Sequence, residues 1–146
     1  MILVDVNLLM YAENSASPLH DRAREWWEAQ LSGETQVRLA WLTLIAFARL
    51  STSPKAMPNP LTPQAACERI QSWLAQPNVL VATPGPNHFE TFSKILRQYS
   101  IVGPTVTDAH LAALAIEHNL HLLSADSGFR KFRELKWSNP LATEAA

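Results

Sequence analysis

Apolar positions along this chain follow two alternating rhythms. Ile2 to Val4 is a short unbroken apolar run of the kind a strand covered on both faces shows. From Val6 to about Glu13 the rhythm changes, because Val6, Leu9, Met10 and Ala12 recur at helical spacing, so a strand passes into a helix at Asp5. Ser17-Pro18 then offers a capping hydroxyl with proline at the first helical position. Leu19, Ala23, Trp26, Trp27 and Leu31 form the buried stripe of the helix that Gly33 stops. Gln36 to Trp41 reads as a second strand, after which Thr43 is placed to cap the apolar helix "LIAFARLS".

The same alternation continues beyond the Pro-rich loop "TSPKAMPNPLTP". Thr62-Pro63 repeats the cap-and-proline signal, and Ala66, Ile70, Trp73 and Leu74 carry a helix towards Pro77. Val79 to Ala82 is a third strand. Phe89, Phe92, Leu96 and Tyr99 space a helix from Asn87 to Tyr99, which Gly103-Pro104 breaks. Thr107 is placed to cap a helix from Asp108 to His118, Leu120 to Leu123 reads as a fourth strand, and 138–146 reads as a frayed tail. Short apolar strands alternating with helices imply right-handed crossovers. The fold class is therefore α/β, with a central parallel sheet and helices on both faces, in a single domain spanning 1–146.

Composition narrows the function classes only slightly. With 47% hydrophobic and 17% charged residues, the chain is neither disordered nor fibrous. A net charge of −1 supplies no global cationic field, so any contact with nucleic acid must come from a local cluster of Lys and Arg. The lone Cys67 excludes an internal disulfide and suits a reduced cytoplasm. No apolar run approaches the roughly 18 residues of a membrane span, and no basic leader precedes one, so the expectation is a cytoplasmic protein without a membrane partner.

Candidate chemistry follows from where the acids fall. Parallel α/β sheets place ligands beyond the carboxyl ends of their strands. Asp5 ends the first strand, Asp126 comes just after the fourth, and Asp108 opens the helix that feeds the fourth. Each acid singly has a bland explanation as a helix cap, a dipole partner or a turn former. Gathered at one edge they repel one another, and a hard divalent cation with oxygen ligands, Mg²⁺ or Mn²⁺, relieves that repulsion. Asn7 and Ser124 each lie two residues from one of these acids, Asn7 able to orient a water or a carboxylate and Ser124 to offer its hydroxyl. The commoner fate of such a hydroxyl is a bond to strand-end backbone.

With these positions in view, the chain resembles the PIN-domain ribonucleases, and within them the VapC-like toxins of type II toxin–antitoxin modules. The resemblance is carried by "ILVDVNLLMYA", by "WLTLIAFARLST" with its Pro-rich loop, by "VTDAHLAALAIEHNLHLLSAD" and by "SGFRKF". It implies a PIN-like three-layer fold and a metal-dependent endoribonuclease in which Asp5, Asp108 and Asp126 hold Mg²⁺ or Mn²⁺ and a metal-activated water attacks an RNA phosphodiester. It also implies a homodimer and a VapB-like antitoxin whose C-terminal segment covers the site. Many relatives carry a Glu within the helix after the second strand, where this chain has Ala46, which implies weaker holding of a second metal. Arg130, Lys131, Arg133 and Arg49 are the principal candidate RNA contacts, with Lys55 and Arg97 behind them.

Rival readings are distinguishable by residue. A phosphohydrolase of the haloacid dehalogenase type ordinarily has a second Asp where this chain has Asn7, and a phosphorelay receiver domain has paired acids before its phosphoacceptor. A catalytically weakened PIN-like module that only binds antitoxin or RNA is the rival of a different class. Restoring the acid with Ala46→Glu would raise cleavage markedly in a crippled site and leave it unchanged in a sufficient one.

Overall fold

The computed structural model describes residues 1–143. In chain order its elements are β1 (Ile2–Val4), α1 (Val6–Glu13), α2 (His20–Ser32), β2 (Val37–Ala40), α3 (Trp41–Ser51), α4 (Pro63–Leu74), β3 (Val79–Ala82), α5 (His88–Gln98), α6 (Val106–Glu117), β4 (His121–Leu123) and β5 (Trp137–Ser138). Single 3-10 turns occupy Gly103–Thr105 and Ser127–Lys131. The five strands form one sheet in the order β3-β2-β1-β4-β5, and every pair is parallel.

Consecutive residues of the central strands serve opposite faces, which is why these strands read as unbroken apolar runs. Leu3, Ala40, Ala82 and Leu122 pack with Ala109, Ala112, Ile95 and Phe132 on the side of α5 and α6. Val4, Val37, Leu39, Val79 and Leu123 pack with Leu8, Leu9, Trp27, Phe47 and Trp73 on the side of α1 to α4. The fold is thus the expected PIN-like arrangement of three layers, with helices on both faces of a parallel sheet. Among the described residues no helix is long and apolar enough to cross a membrane.

Several local expectations are corrected by the structure. The helix expected from Ser17-Pro18 begins at His20, because the Ser17 hydroxyl accepts from the Leu19 N–H in a turn instead of capping a helix. Trp41 opens α3 rather than closing β2, and Thr43 lies inside that helix, 1% exposed, with its hydroxyl unpartnered. Thr62 does cap α4, accepting from the Ala65 N–H at 3.1 Å. Thr107 instead donates its hydroxyl to the Pro104 carbonyl, and α6 starts at Val106.

The segment expected to fray carries structure at its start, over 138–141. Ser138 lies in β5 opposite Leu123, and Leu141 is buried among the residues of the α1 to α4 layer. Two residues of strand are too short a run to register in an apolar pattern, which is why β5 escapes sequence reading. Residues 144–146 of that expected tail lie outside the described residues.

Candidate active site at the carboxyl edge of the sheet

Two strands ending side by side and the start of a helix position the site. The β1 chain leaves the sheet at Asp5, whose N–H bonds the Leu123 carbonyl of β4, so the carboxyl ends of β1 and β4 are stitched together there. Asp5 is 7% exposed and caps α1, its Oδ1 accepting from the Val6 N–H at 2.7 Å. Its Oδ2 accepts from the Ser124 hydroxyl, also at 2.7 Å. Bonds this short to a carboxylate are the strong, charge-assisted kind.

Ser124 is the hub of the arrangement. It is fully buried, and besides donating to Asp5 its Oγ accepts from the Asn7 amide at 3.0 Å and from the Asp126 N–H at 3.0 Å. Asn7 spans the two strand ends: Nδ2 donates to Ser124 and, at 3.4 Å, to Asp5, while Oδ1 accepts from the Ala125 N–H at 3.1 Å. The bland reading of Ser124 as a backbone-bonded hydroxyl captures one of its three bonds. Only the pairing of β1 with β4 brings residues separated by more than a hundred positions together, and no local pattern reports that.

Asp126 is exposed, and its Oδ1 accepts from the Gly128 N–H at 2.8 Å, capping the 3-10 turn that follows. Asp108, in the first turn of α6, makes no side-chain hydrogen bond among the described residues. The charge of Asp126 reaches both other carboxylates, and that of Asp5 reaches Asp108. Burial pushes Asp5 above the ordinary carboxylate range against the pull of the Ser124 and Val6 bonds, and Asp126 adds to the rise. Burial followed by the charges of Asp126 and Asp5 raises Asp108 to about 6, with Lys131 pulling the other way.

Asp5 and Asp126 follow the neighbouring strands β1 and β4, and the charges of both reach Asp108 in the first turn of α6. Among the described residues no three His, Cys, Asp or Glu side chains already close into a cation cage. The donor set nevertheless fits a hard divalent cation: it is all oxygen, and like charges with raised pKa values are what a cation relieves. Ala46 is half-buried in α3 and supplies no fourth carboxylate.

The candidate cations divide by position. Lys131 acts on Asp108 electrostatically, and Arg130 stacks over Trp137 at 5.4 Å. Both belong to the turn that Asp126 caps and that Phe129 and Phe132 anchor in the core. Arg133 is exposed beyond that turn, and Arg49 is exposed in the last turn of α3, with Lys55 and Arg97 exposed elsewhere. Sequence reasoning missed a second titratable network, in which His88 bridges Glu117 at 3.2 Å and His110 at 3.0 Å and so joins α5 to α6. A groove of about 460 Å³ between α1, α2 and α4, lined by Leu9, Trp27 and Trp73, contains none of the three acids.

Ser124→Ala tests the hub. The substitution removes the acceptor of the Asp126 N–H, the nearer acceptor of the Asn7 amide and the hydroxyl donor to Asp5, so it should destabilise the protein by about 1–3 kcal/mol. Loss of a group that orients a ligand should also cost roughly 10- to 100-fold in activity. Thermal melts and cleavage assays on purified Ser124→Ala measure both, and an unchanged activity would remove Ser124 from the site.

Comparison with known proteins places this geometry in context. A PIN-domain family model matches residues 2–135. The chain is 37% identical over 141 residues to the ribonuclease VapC33 of Mycobacterium tuberculosis, covering 97% of this chain and 99% of that one. It is 38% identical over 142 residues to the ribonuclease VapC37 of the same organism, with the same coverage. Among solved structures, VapBC2 of Rickettsia felis bound to a promoter DNA fragment matches with a TM-score of 0.67 at 17% identity, over 95% of this chain and 98% of that one. The Mycobacterium tuberculosis sarcin–ricin loop cleaving toxin VapC20 matches with a TM-score of 0.66 at 17% identity, over 93% and 99%. Likeness at that level of identity is likeness of fold.

Proposed function

The chain belongs to the PIN-domain family, among its VapC-type members, and from that premise we propose that it is a metal-dependent endoribonuclease acting as the toxin of a VapBC-like module. The observation that carries the reading is that Asp5 and Asp126 follow the neighbouring strands β1 and β4, with Asp126 raising the pKa of Asp5 and both raising that of Asp108 at the start of α6. Three such groups in one place are costly to a fold that makes no use of them.

Asp5, Asp108 and Asp126 would hold the cation, Mg²⁺ or Mn²⁺, which supplies charge neutralisation at the phosphate and acidifies a water. Asp5 is the fixed member, because the Val6 N–H and the Ser124 hydroxyl lock its orientation. Asp108, which makes no side-chain hydrogen bond among the described residues, would complete the ligand set from the first turn of α6, and one of the carboxylates would orient or deprotonate the water. Lys131 and Arg130, carried by the turn beyond Asp126, are placed to hold phosphate oxygens of the RNA. With Ala46 in place of an acid, one cation suffices in this reading.

Partners follow from the same reading. The substrate is RNA, the regulator is a VapB-like antitoxin, and the toxin is a homodimer. An antitoxin cation inserted among the three acids would substitute for the metal's charge and silence the site.

The test is incubation of the purified, antitoxin-free chain with total bacterial RNA in Mg²⁺, in Mn²⁺ and in EDTA. Discrete fragments that need the cation support the reading. RNA left intact by a folded protein that binds the cation would favour the silent binding module.

A further inference from the structure

β5 is joined to β4 through a side chain as well as through its backbone. The Leu122 N–H donates to the Lys136 carbonyl and the Ser124 N–H to the Ser138 carbonyl, as a parallel ladder requires. The next bond of that ladder would run from the N–H of residue 140 to the Ser124 carbonyl, but Pro140 has no N–H to give. The indole of Trp137 supplies the donor instead, its Nε1–H reaching the Ser124 oxygen at an N···O distance of 3.1 Å.

That carbonyl belongs to the residue whose hydroxyl organises the acids. The backbone from Ser124 to Asp126 is held at three points: Trp137 bonds the Ser124 carbonyl, Asn7 the Ala125 N–H and the Ser124 hydroxyl the Asp126 N–H. The same ring has a second contact. The Arg130 guanidinium carbon lies 5.4 Å from its centre, within the range at which a cation is attracted to an indole face. Arg130 is exposed and makes no salt bridge among the described residues, so Trp137 is what limits the rotamers of this long side chain.

We propose that Trp137 is a positioning residue with two separable tasks: its indole N–H fixes the Ser124 hub on which Asp5 and Asp126 depend, and its ring face orients Arg130 towards a phosphate of the RNA. The proposal rests on the ribonuclease reading and adds a residue that acts on both halves of the site. Partners that orient ligand-bearing groups without touching the ligand carry much of its affinity. A guanidinium held against a ring face keeps N–H donors for a phosphate. Trp137 thus acts through Ser124 on the acids and through Arg130 on the substrate.

The test compares Trp137→Phe, which keeps a ring and loses the N–H, with Trp137→Leu and Arg130→Gln. Thermal melts establish that each variant folds. KM and kcat are measured with Mg²⁺, Mn²⁺ affinity by titration, and affinity for a short fluorescent RNA by anisotropy in EDTA so that nothing is cut. Trp137→Phe should lower kcat and weaken Mn²⁺ binding by about 10-fold or more, with KM and RNA affinity within about threefold of the unaltered chain. Arg130→Gln should do the reverse, weakening RNA binding several-fold and flattening its salt dependence by about one ion while Mn²⁺ affinity stays unchanged. Trp137→Leu should show both losses. In the unaltered chain, the assigned Trp137 indole N–H should exchange slowly with deuterium in EDTA, as a hydrogen-bonded group does.

Full kcat and Mn²⁺ affinity in Trp137→Phe, rapid exchange of the indole N–H, or RNA binding untouched by Arg130→Gln would overturn the proposal. So would losses of every quantity in step with the melting point, which would leave Trp137 a role in stability alone. The indole exchange and Arg130→Gln decide the matter even if the Trp137 variants fail to fold. Should the unaltered chain bind RNA but never cleave it, the ribonuclease reading fails, and RNA affinity, Mn²⁺ affinity and indole exchange still test the two tasks of Trp137.

Discussion

Asp5→Asn is expected to lower RNA cleavage by about a thousandfold or more while leaving the fold intact. The change swaps one oxygen for an amide nitrogen and removes a negative charge at the point where β1 and β4 are stitched together. It also disturbs the network, because the Ser124 hydroxyl donates to Asp5 and accepts from two other N–H groups. An amide nitrogen turned towards Ser124 meets a hydroxyl whose acceptor sites are taken, and turned the other way it meets the Val6 N–H. Asn at this position therefore forfeits a hydrogen bond as well as a charge, at a cost of about 1–2 kcal/mol. Cleavage assays with circular dichroism and thermal melts separate the two effects. Activity within tenfold of the unaltered chain would place the chemistry elsewhere.

Asp108→Asn should be equally inactive yet more stable than the unaltered protein when metal is absent. The folded pKa of Asp108, about 6, lies above its ordinary value of 3.8, so the folded state holds the proton more tightly than the unfolded state does. Stability contributed by the protonated group is present at low pH and is lost as pH rises from about 3.8 through about 6. At pH 7 the charged carboxylate is therefore a net cost. Because Asp108 is only half-buried, solvent screens that cost to about 1 kcal/mol, equivalent to a melting point about 3 °C higher in the Asn variant. Below pH 4 the two proteins should melt together. Adding Mg²⁺ at pH 7 should stabilise the unaltered chain and close the gap. A variant less stable than the parent at pH 7 in EDTA would show that the acids do not strain one another.

These opposite signs on activity and stability are the mark of a site built at the expense of the fold. Asp5 is held by two short bonds and is buried nonetheless, so its geometry is fixed before any ligand arrives. Asp108 carries no such bonds and takes the electrostatic strain.

What could be read in the sequence was set by periodicity. The buried strands are short apolar runs, and Asp5 and Asp126 come just after two of them while Asp108 lies in the first turn of the helix that leads into β4, so the strands could be read directly and the acids placed relative to them. Thr62-Pro63 was legible because cap and proline act within one turn. Thr43 and Thr107 misled for the same local reason: a hydroxyl near a helix start is a cap only when the backbone enters from an extended residue at that position, and here the helices begin two residues and one residue earlier. The roles of Asn7 and Ser124 depend on β1 pairing with β4, a contact across the whole chain that no window of sequence contains. β5 and Leu141 were invisible because two paired residues and one buried leucine make no pattern.

The central claim is that the three carboxylates share one cation. The most direct test is titration with Mn²⁺ at pH 7, read as free Mn²⁺ by electron paramagnetic resonance, for the unaltered chain and for Asp108→Asn and Asp126→Asn. The account predicts about one Mn²⁺ bound per chain, with affinity weakened by about 10-fold or more in each variant. Binding that is absent from the unaltered chain, or that survives unchanged in both variants, would contradict it.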